Sequence, residues 1–244
     1  MITFSHLGKY GKLGNQLFQI AVVYSHCTRN GKNFIFPEWK YNSYLKTPIR
    51  TGSIPQGLIL HRERDPFSFT PIPDRDNLDL IGYFQNENYF NGQEERIRDF
   101  LDPSDFVKSR IEDLDGITAI HVRRGDYLNF PLHHPVPPID YYNRAIENLR
   151  DRSKNFMVFS DDIEWCKENF SPDFLFSEEK DEFIDLYKMS RCSNFIIANS
   201  SFSWWASFLS RSRDKIIYAP ENWVGRGYSG TAWRQVYRKE MKII

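Results

Sequence analysis

Along the second half of the chain, short apolar runs recur between amphipathic stretches. The runs "TAIHV" (118–122), "FMVFS" (156–160), "FLFS" (174–177), "NFIIAN" (194–199) and "KIIYAP" (215–220) are too short for helices and rich in Ile, Val and Phe, so each predicts a buried strand. Between them, "DYYNRAIENLRDR" places Tyr142, Ala145, Ile146 and Leu149 at i, i+3, i+4 and i+7, which is one face of a helix. "DDIEWCKENF" and "DEFIDLYKMSRC" predict two further helices, and Asp161 with Glu164 has the spacing of a capping box. Strand alternating with helix predicts an α/β fold around a parallel sheet covered on both faces.

The first half is less regular. "ITFSH" predicts a strand, residues 15–29 a helix stopped by Gly31, and "NFIFP" a second strand. "LDLIGYF" (78–84) predicts another strand and "NYFNGQEERIRDFL" a helix. Residues 40–77 hold five of the thirteen prolines and little periodicity, so they predict either a functional loop or an element without a clear pattern. The break between two α/β units is expected near residues 103–116, giving domains at 1–110 and 111–244.

A chain of 244 residues suits one large domain or two small ones. Its 32 basic and 32 acidic residues cancel, so no overall field draws it to nucleic acid or anionic lipid, and any polyanion must meet a local site. No charged leader precedes an apolar segment, and no run of about 18 apolar residues occurs. A cytoplasmic protein is expected, with room for peripheral contact to a membrane. Cys27, Cys166 and Cys192 are odd in number and far apart, which argues against a disulfide frame or a zinc site and for reduced, buried thiols. Aromatics make up 16% of the chain, and rings serve cores as well as sugar or base stacking.

In a parallel sheet, ligands bind beyond the carboxyl ends of the strands. The stretch "ITAIHVRRGDY" (117–127) puts His121, Arg123, Arg124, Gly125 and Asp126 at such an end. If the extended conformation persists, His121 and Arg123 point to one side and Arg124 to the other, so one arginine is a ligand candidate and its neighbour structural support. Gly125 permits a turn, and Asp126 has the chemistry to fix an arginine fork. A surface cluster of ion pairs is the alternative, and an adhesion role for the Arg-Gly-Asp tripeptide is discounted.

The run ending "IIANSSFSWWASFL" gathers Asn199, Ser200, Ser201 and Ser203 before helical material, which describes an anion site at a helix N-terminus, with simple capping as the alternative. The glycosylation sequon at Asn199 reads as incidental. "SDD" (160–162) suggests a metal site, but the capping box is the preferred account. Near the front, "GKYGKLGNQLFQ" brings three glycines before a helix without matching a P-loop or a dinucleotide fingerprint. Asn15 and Gln16 there read equally as a helix N-cap and a solvent-facing amide.

Together, "GKLGNQLFQ" (11–19), "IGYFQNENYF" (81–90), "HVRRGDY" (121–127), "FSDDIEWCKENF" (159–170), "DLYKMSRCSNFIIANSSFSWWASFL" (185–209) and "APENW" (219–223) resemble the inverting α-1,2-fucosyltransferases, with a more distant similarity to α-1,6- and protein O-fucosyltransferases. The resemblance implies two Rossmann-like domains facing a cleft, of the GT-B type, with GDP-β-L-fucose as donor, no metal, and a galactose-terminated glycan as acceptor. It implies that Arg123 binds the diphosphate with His121 near the nucleotide, and that Ser200, Ser201 and Ser203 approach the phosphates. It also implies that Asp185 accepts hydrogen bonds from guanine, and that Gly14 and Asn15 face the reacting sugar. Catalytic roles are expected for Arg123, Asn15 and Asp126, with Arg124 as structural support, although Asp126 as a base competes with Asp126 as a brace. The alternatives are another acceptor, such as a protein hydroxyl, another GDP-sugar, or a binding module without turnover. A nucleic-acid partner is not expected.

Overall fold

The computed structural model describes residues 1–244. The chain divides into two compact units, residues 1–109 with 232–236, and residues 110–231 with 237–244.

The first unit opens with strand β1 (Ile2–Thr3) and helix α1 (Leu13–Asn30). Gly31, at φ 61°, ends α1 in the left-handed conformation and returns its N–H to the Cys27 carbonyl, as the position of that glycine predicts. β2 (Ile59–Arg62) and β3 (Leu78–Ile81) complete a parallel sheet of order β1-β3-β2. "NFIFP" is not a full strand: it makes two isolated parallel bridges, Ile2 with Phe34 and Phe36 with Thr51. β2 lies inside the proline-rich segment and escaped notice because it is an edge strand with Ile59 and Leu60 exposed, so no alternation of burial marks it. The helix expected over 88–101 is shorter: a 3-10 turn at Glu87–Tyr89, then α2 (Glu94–Phe100), followed by the single turn α3 (Asp105–Lys108).

The second unit is built from β4 (Ile117–Val122), α4 (Ile139–Leu149), β5 (Asn155–Ser160), α5 (Ile163–Asn169), β6 (Leu175–Phe176), α6 (Glu182–Ser190), β7 (Asn194–Ile196), α7 (Ser201–Leu209), β8 (Ile217–Ala219) and β9 (Met241–Ile243). All six strands are parallel, in the order β6-β5-β4-β7-β8-β9. Tyr142, Ala145, Ile146 and Leu149 are buried on one face of α4, in a core with Ile120, Val122, Val158 and Ile196. β9 carries the last residues of the chain into the sheet; three residues are too few for a pattern to reveal. The three cysteines are free and buried.

The order of the second sheet reverses between β4 and β7, since successive strands run outward from β4 on one side and from β7 on the other. At such a switch point the loops that follow the two strands diverge and leave a crevice at their carboxyl ends. His121 is the penultimate residue of β4 and Arg123 to Asp126 follow it, while Asn199 to Ser203 follow β7.

Candidate functional site

β4 and β7 bring the two predicted motifs together. His121 is the penultimate residue of β4, 4% exposed, with Nδ1 2.8 Å from the Ser203 hydroxyl on α7 and its ring 5.3 Å from that of Phe202. Burial, reinforced by the Arg123 charge, pushes His121 down to about 3, so its imidazole is neutral at physiological pH. Ser203 is wholly buried, and its hydroxyl also lies 3.4 Å from the carbonyls of Ala198 and Ser200. That hydroxyl is therefore committed to joining α7 to β4.

Ser200 caps α7, its Oγ accepting from Phe202 N at 3.3 Å, while Ser201 is partly exposed at the first helical position. The helix is nine residues long and has no acidic side chain in its first turn, so its N-terminal partial charge is uncompensated from within. Asn199, 2% exposed, donates Nδ2 to the carbonyls of Pro135 and Trp223, and its buried Oδ1 has no partner. The Asn199 amide is thus engaged within the fold, linking the loop after β7 to Pro135 and Trp223.

The extended conformation stops at Val122. Arg124 has φ −128° and ψ −64° and leads into a 3-10 turn, Gly125–Asn129, so simple alternation does not assign the two arginines to opposite roles. Their side chains are almost equally exposed, at 16% and 18%. Both are held by the segment read above as a capping box. Asp161 Oδ2 lies 2.9 Å from Arg123 Nη1, and Asp161 Oδ1 accepts from the backbone N–H of Arg124 at 2.9 Å. Asp162 Oδ2 accepts from Arg124 Nε at 2.9 Å, and the guanidinium of Arg124 lies over the Trp165 ring at 3.9 Å. Asp126 pairs with the other end of the Arg123 fork, which also lies 5.4 Å from the Tyr127 ring. The helix α5 is capped at Asp162 without a side-chain hydrogen bond, so the capping-box expectation is corrected: both aspartates are spent on arginines.

That role was readable from the register. Val122 pairs with Ser160, so Arg123 and Asp161 leave the sheet as neighbours. Gly125 serves this contact too: a Cβ there would stand 2.3 Å from Asp161 Oδ2, so the glycine provides room for the carboxylate rather than an unusual backbone angle. Tyr127 was not anticipated. Its hydroxyl donates to the Asn199 carbonyl at 3.0 Å and its ring stacks on His134, tying the two switch-point loops, and burial pushes its hydroxyl up to about 12.

Asp185 lies on α6, where its Oδ1 accepts from the Ser177 hydroxyl, and burial pushes it up to about 6. In the first unit, Gly14 is buried in the first turn of α1, and Asn15 in the same turn accepts from Gln85 Nε2 at 2.7 Å. The N-cap is Lys12, not Asn15. Gln16 is not solvent-facing: 6% exposed, it donates to the Gly11 carbonyl and accepts from Trp39 Nε1 at 2.7 Å. Gln19, fully buried, donates to the Tyr10 carbonyl. These two amides, together with the 83° φ of Gly11, account for the spacing of "GKLGNQLFQ": they fasten the glycine loop to its helix.

No group of three or more His, Cys, Asp or Glu side chains is disposed to hold a metal ion, and no helix is long and apolar enough to cross a membrane.

The chain is 36% identical over 166 residues to an α-1,2-colitosyltransferase and 33% identical over 164 residues to an O-antigen biosynthesis glycosyltransferase, both of Escherichia coli. These matches cover 62% and 59% of the chain and 57% and 54% of the relatives, so the chain spans little more than half the length of either. It is 25% identical over 235 residues to the human galactoside α-(1,2)-fucosyltransferase 1, covering 82% of the chain and 64% of that protein. Among solved structures, the α-1,6-fucosyltransferase NodZ of Bradyrhizobium, in crystals soaked with GDP-fucose, shares the fold with a TM-score of 0.54 at 14% identity, over 85% of the chain and 91% of NodZ. The family model for glycosyl transferase family 11 matches residues 61–242, three quarters of the sequence and all of the switch-point site, and the chain belongs to that family.

Proposed function

We propose that the chain is an inverting, metal-independent transferase that moves L-fucose from GDP-β-L-fucose to O2 of a terminal galactoside. The observation that carries the reading is the switch-point cluster, in which a braced Arg123, a neutral buried His121 and the N-terminus of α7 meet in a chain of glycosyl transferase family 11. Relatives named for α-1,2 transfer support the linkage, and a neighbour soaked with GDP-fucose supports the donor.

In this reading the second unit takes the donor and the first the acceptor. The acceptor hydroxyl attacks the anomeric carbon from the side opposite GDP. A new C1–O bond forms as the bond to the β-phosphate oxygen breaks, GDP keeps the electron pair, and the hydroxyl proton passes to solvent water. Charge grows on the leaving diphosphate, where Arg123, Ser200, Ser201 and the α7 amides stabilise it without reorganising. Asp126 acts as a brace on Arg123, which its ion pair supports. Asp185, polar in a buried setting, is suited to guanine N–H donors. Asp161 and Asp162 are already matched by guanidinium groups, which supports phosphate neutralisation by arginine and helix rather than by a cation.

The test is purified protein with GDP-fucose, lactose and N-acetyllactosamine in EDTA, with the linkage read by NMR. An α-1,2-fucosyl product supports the reading. Calorimetry that shows no affinity for GDP or GDP-fucose would sink it. One relative is named for colitosyl transfer, so the same assay with a colitosyl donor decides between two deoxyhexoses.

A further inference from the structure

β1 and β3 are neighbours in the first sheet, and the loops that follow them meet at its carboxyl edge, where the Phe4 and Phe84 rings lie 6.4 Å apart. The loop after β3, residues 82–86, carries two groups toward the front motif. Gln85 Nε2 donates to Asn15 Oδ1 at 2.7 Å, and the Tyr83 ring stacks on that of Tyr10 at 4.7 Å.

What shapes this loop is Glu63, the residue after β2. Its Oε2 accepts from the backbone N–H groups of both Tyr83 and Phe84, at 2.6 and 2.9 Å. A Cβ on Gly82 would lie 2.4 Å from Glu63 Oε2, so the carboxylate reaches the loop only because that position is glycine. Phe84 is held at φ 52°, a left-handed conformation that a buried phenylalanine adopts only when its surroundings impose it. The second oxygen, Oε1, is buried and has no partner. A carboxylate with one oxygen idle and the other taking two amides costs free energy, and ordinary packing gives no reason to keep it.

We propose that Glu63 is a positioning residue for the acceptor side of the transferase site, fixing the 82–85 loop in the conformation from which Gln85 orients Asn15 and Tyr83 orients Tyr10. The inference rests on the function proposed above for its catalytic readout, but its structural content does not. Two partly exposed tyrosines beside two amides are the chemistry that recognises a neutral pyranoside, with rings for the C–H faces and amides for the hydroxyls.

The experiment compares wild type, Glu63→Ala, Glu63→Gln, Asn15→Ala and the Glu63→Ala/Asn15→Ala pair. With lactose and GDP-fucose, Glu63→Ala is expected to lower kcat by about tenfold or more while the KM for GDP-fucose stays within about twofold. The double variant is expected to lose clearly less than the sum of the two single losses, because part of the Glu63 effect passes through Asn15. Glu63→Gln keeps a carbonyl oxygen for the amides and should recover part of the loss. Its pH profile should also lack the wild-type limb near pH 7; the groups whose fields couple to Glu63 are Asp65 and Tyr89, and burial pushes the Tyr89 hydroxyl up to about 12. Losses that simply add would overturn the proposal. Amide hydrogen exchange at Tyr83 and Phe84 gives a readout independent of turnover. At pH 8, protection in wild type that falls by about tenfold in Glu63→Ala supports the positioning role even if no acceptor is ever used. Equal exchange in both overturns it even in an active enzyme.

Discussion

Asp161 holds Arg123 from the neighbouring strand, Oδ2 to Nη1 at 2.9 Å, and the β4–β5 register places them there. The guanidinium is thereby fixed before any ligand arrives, with Asp126 on its other end. Asp161→Ala should leave the fold intact and free the fork to rotate. A misplacement of about 1 Å in a group that meets developing charge costs about 10²-fold, so kcat/KM should fall by that order. GDP affinity by calorimetry should fall less steeply. Turnover equal to wild type would show that the brace is ornamental.

Arg123→Lys tests the fork itself. Lysine retains the charge but offers a point donor, and it cannot meet Asp161, Asp126 and a phosphate in one plane. Transfer activity should drop about 10²- to 10³-fold, the scale for removing one preorganised donor, while the melting temperature changes little. The corresponding Arg124→Lys change removes the stacked contact with Trp165 and the Nε bond to Asp162, and should show first as lost stability.

Gly125→Ala bears on the same contact from the other side. The added Cβ would meet Asp161 Oδ2 at 2.3 Å, and the carboxylate also holds the Arg124 backbone amide. Either the loop shifts or Asp161 gives way. A cost of about 1–3 kcal/mol in denaturant unfolding is expected, with activity falling as far as in Asp161→Ala.

His121 gives a stability signature of definite sign. Its folded value near 3 lies below the ordinary 6.5, so the unfolded chain takes up the proton first as pH falls. The stability it contributes is present above pH 6.5 and is lost progressively below it. By pH 4 the loss should reach about 3 kcal/mol, and His121→Gln should flatten that part of the unfolding profile. Ser203→Ala, which leaves the buried Nδ1 without its partner, should cost about 1–3 kcal/mol at pH 7.

The alternation of short apolar runs with amphipathic stretches showed the second sheet, and the carboxyl ends of the runs offered His121, Arg123 and the α7 serines as candidates. Asp161 was misread because two accounts, cap and arginine partner, share one spacing, and only the pairing of Val122 with Ser160 separates them. Gln16 and Gln19 escaped because buried amides look like surface amides until their backbone partners are known. Glu63 gave no signal at all: it follows an exposed edge strand, and its burial depends on a glycine nineteen residues later in the chain.

Glu63 should therefore give a stability profile of opposite sign to that of His121. Burial pushes it up to about 7, against the Tyr83 and Phe84 amides that favour its ionised form, so the folded chain holds a proton that the unfolded chain releases near 4.5. Its contribution to stability is full below pH 4.5 and is lost as pH rises through 7. Glu63→Gln, neutral throughout, should gain about 3 kcal/mol on wild type between pH 4 and pH 8, measured as the change in their difference by urea unfolding. Activity should run the other way, rising through pH 7 as the carboxylate ionises and takes both amides. A site that grows more active as it grows less stable is expected where strain is kept for function. Parallel pH profiles for the two proteins would show that Glu63 stays ionised across the range, with its free oxygen reached by water.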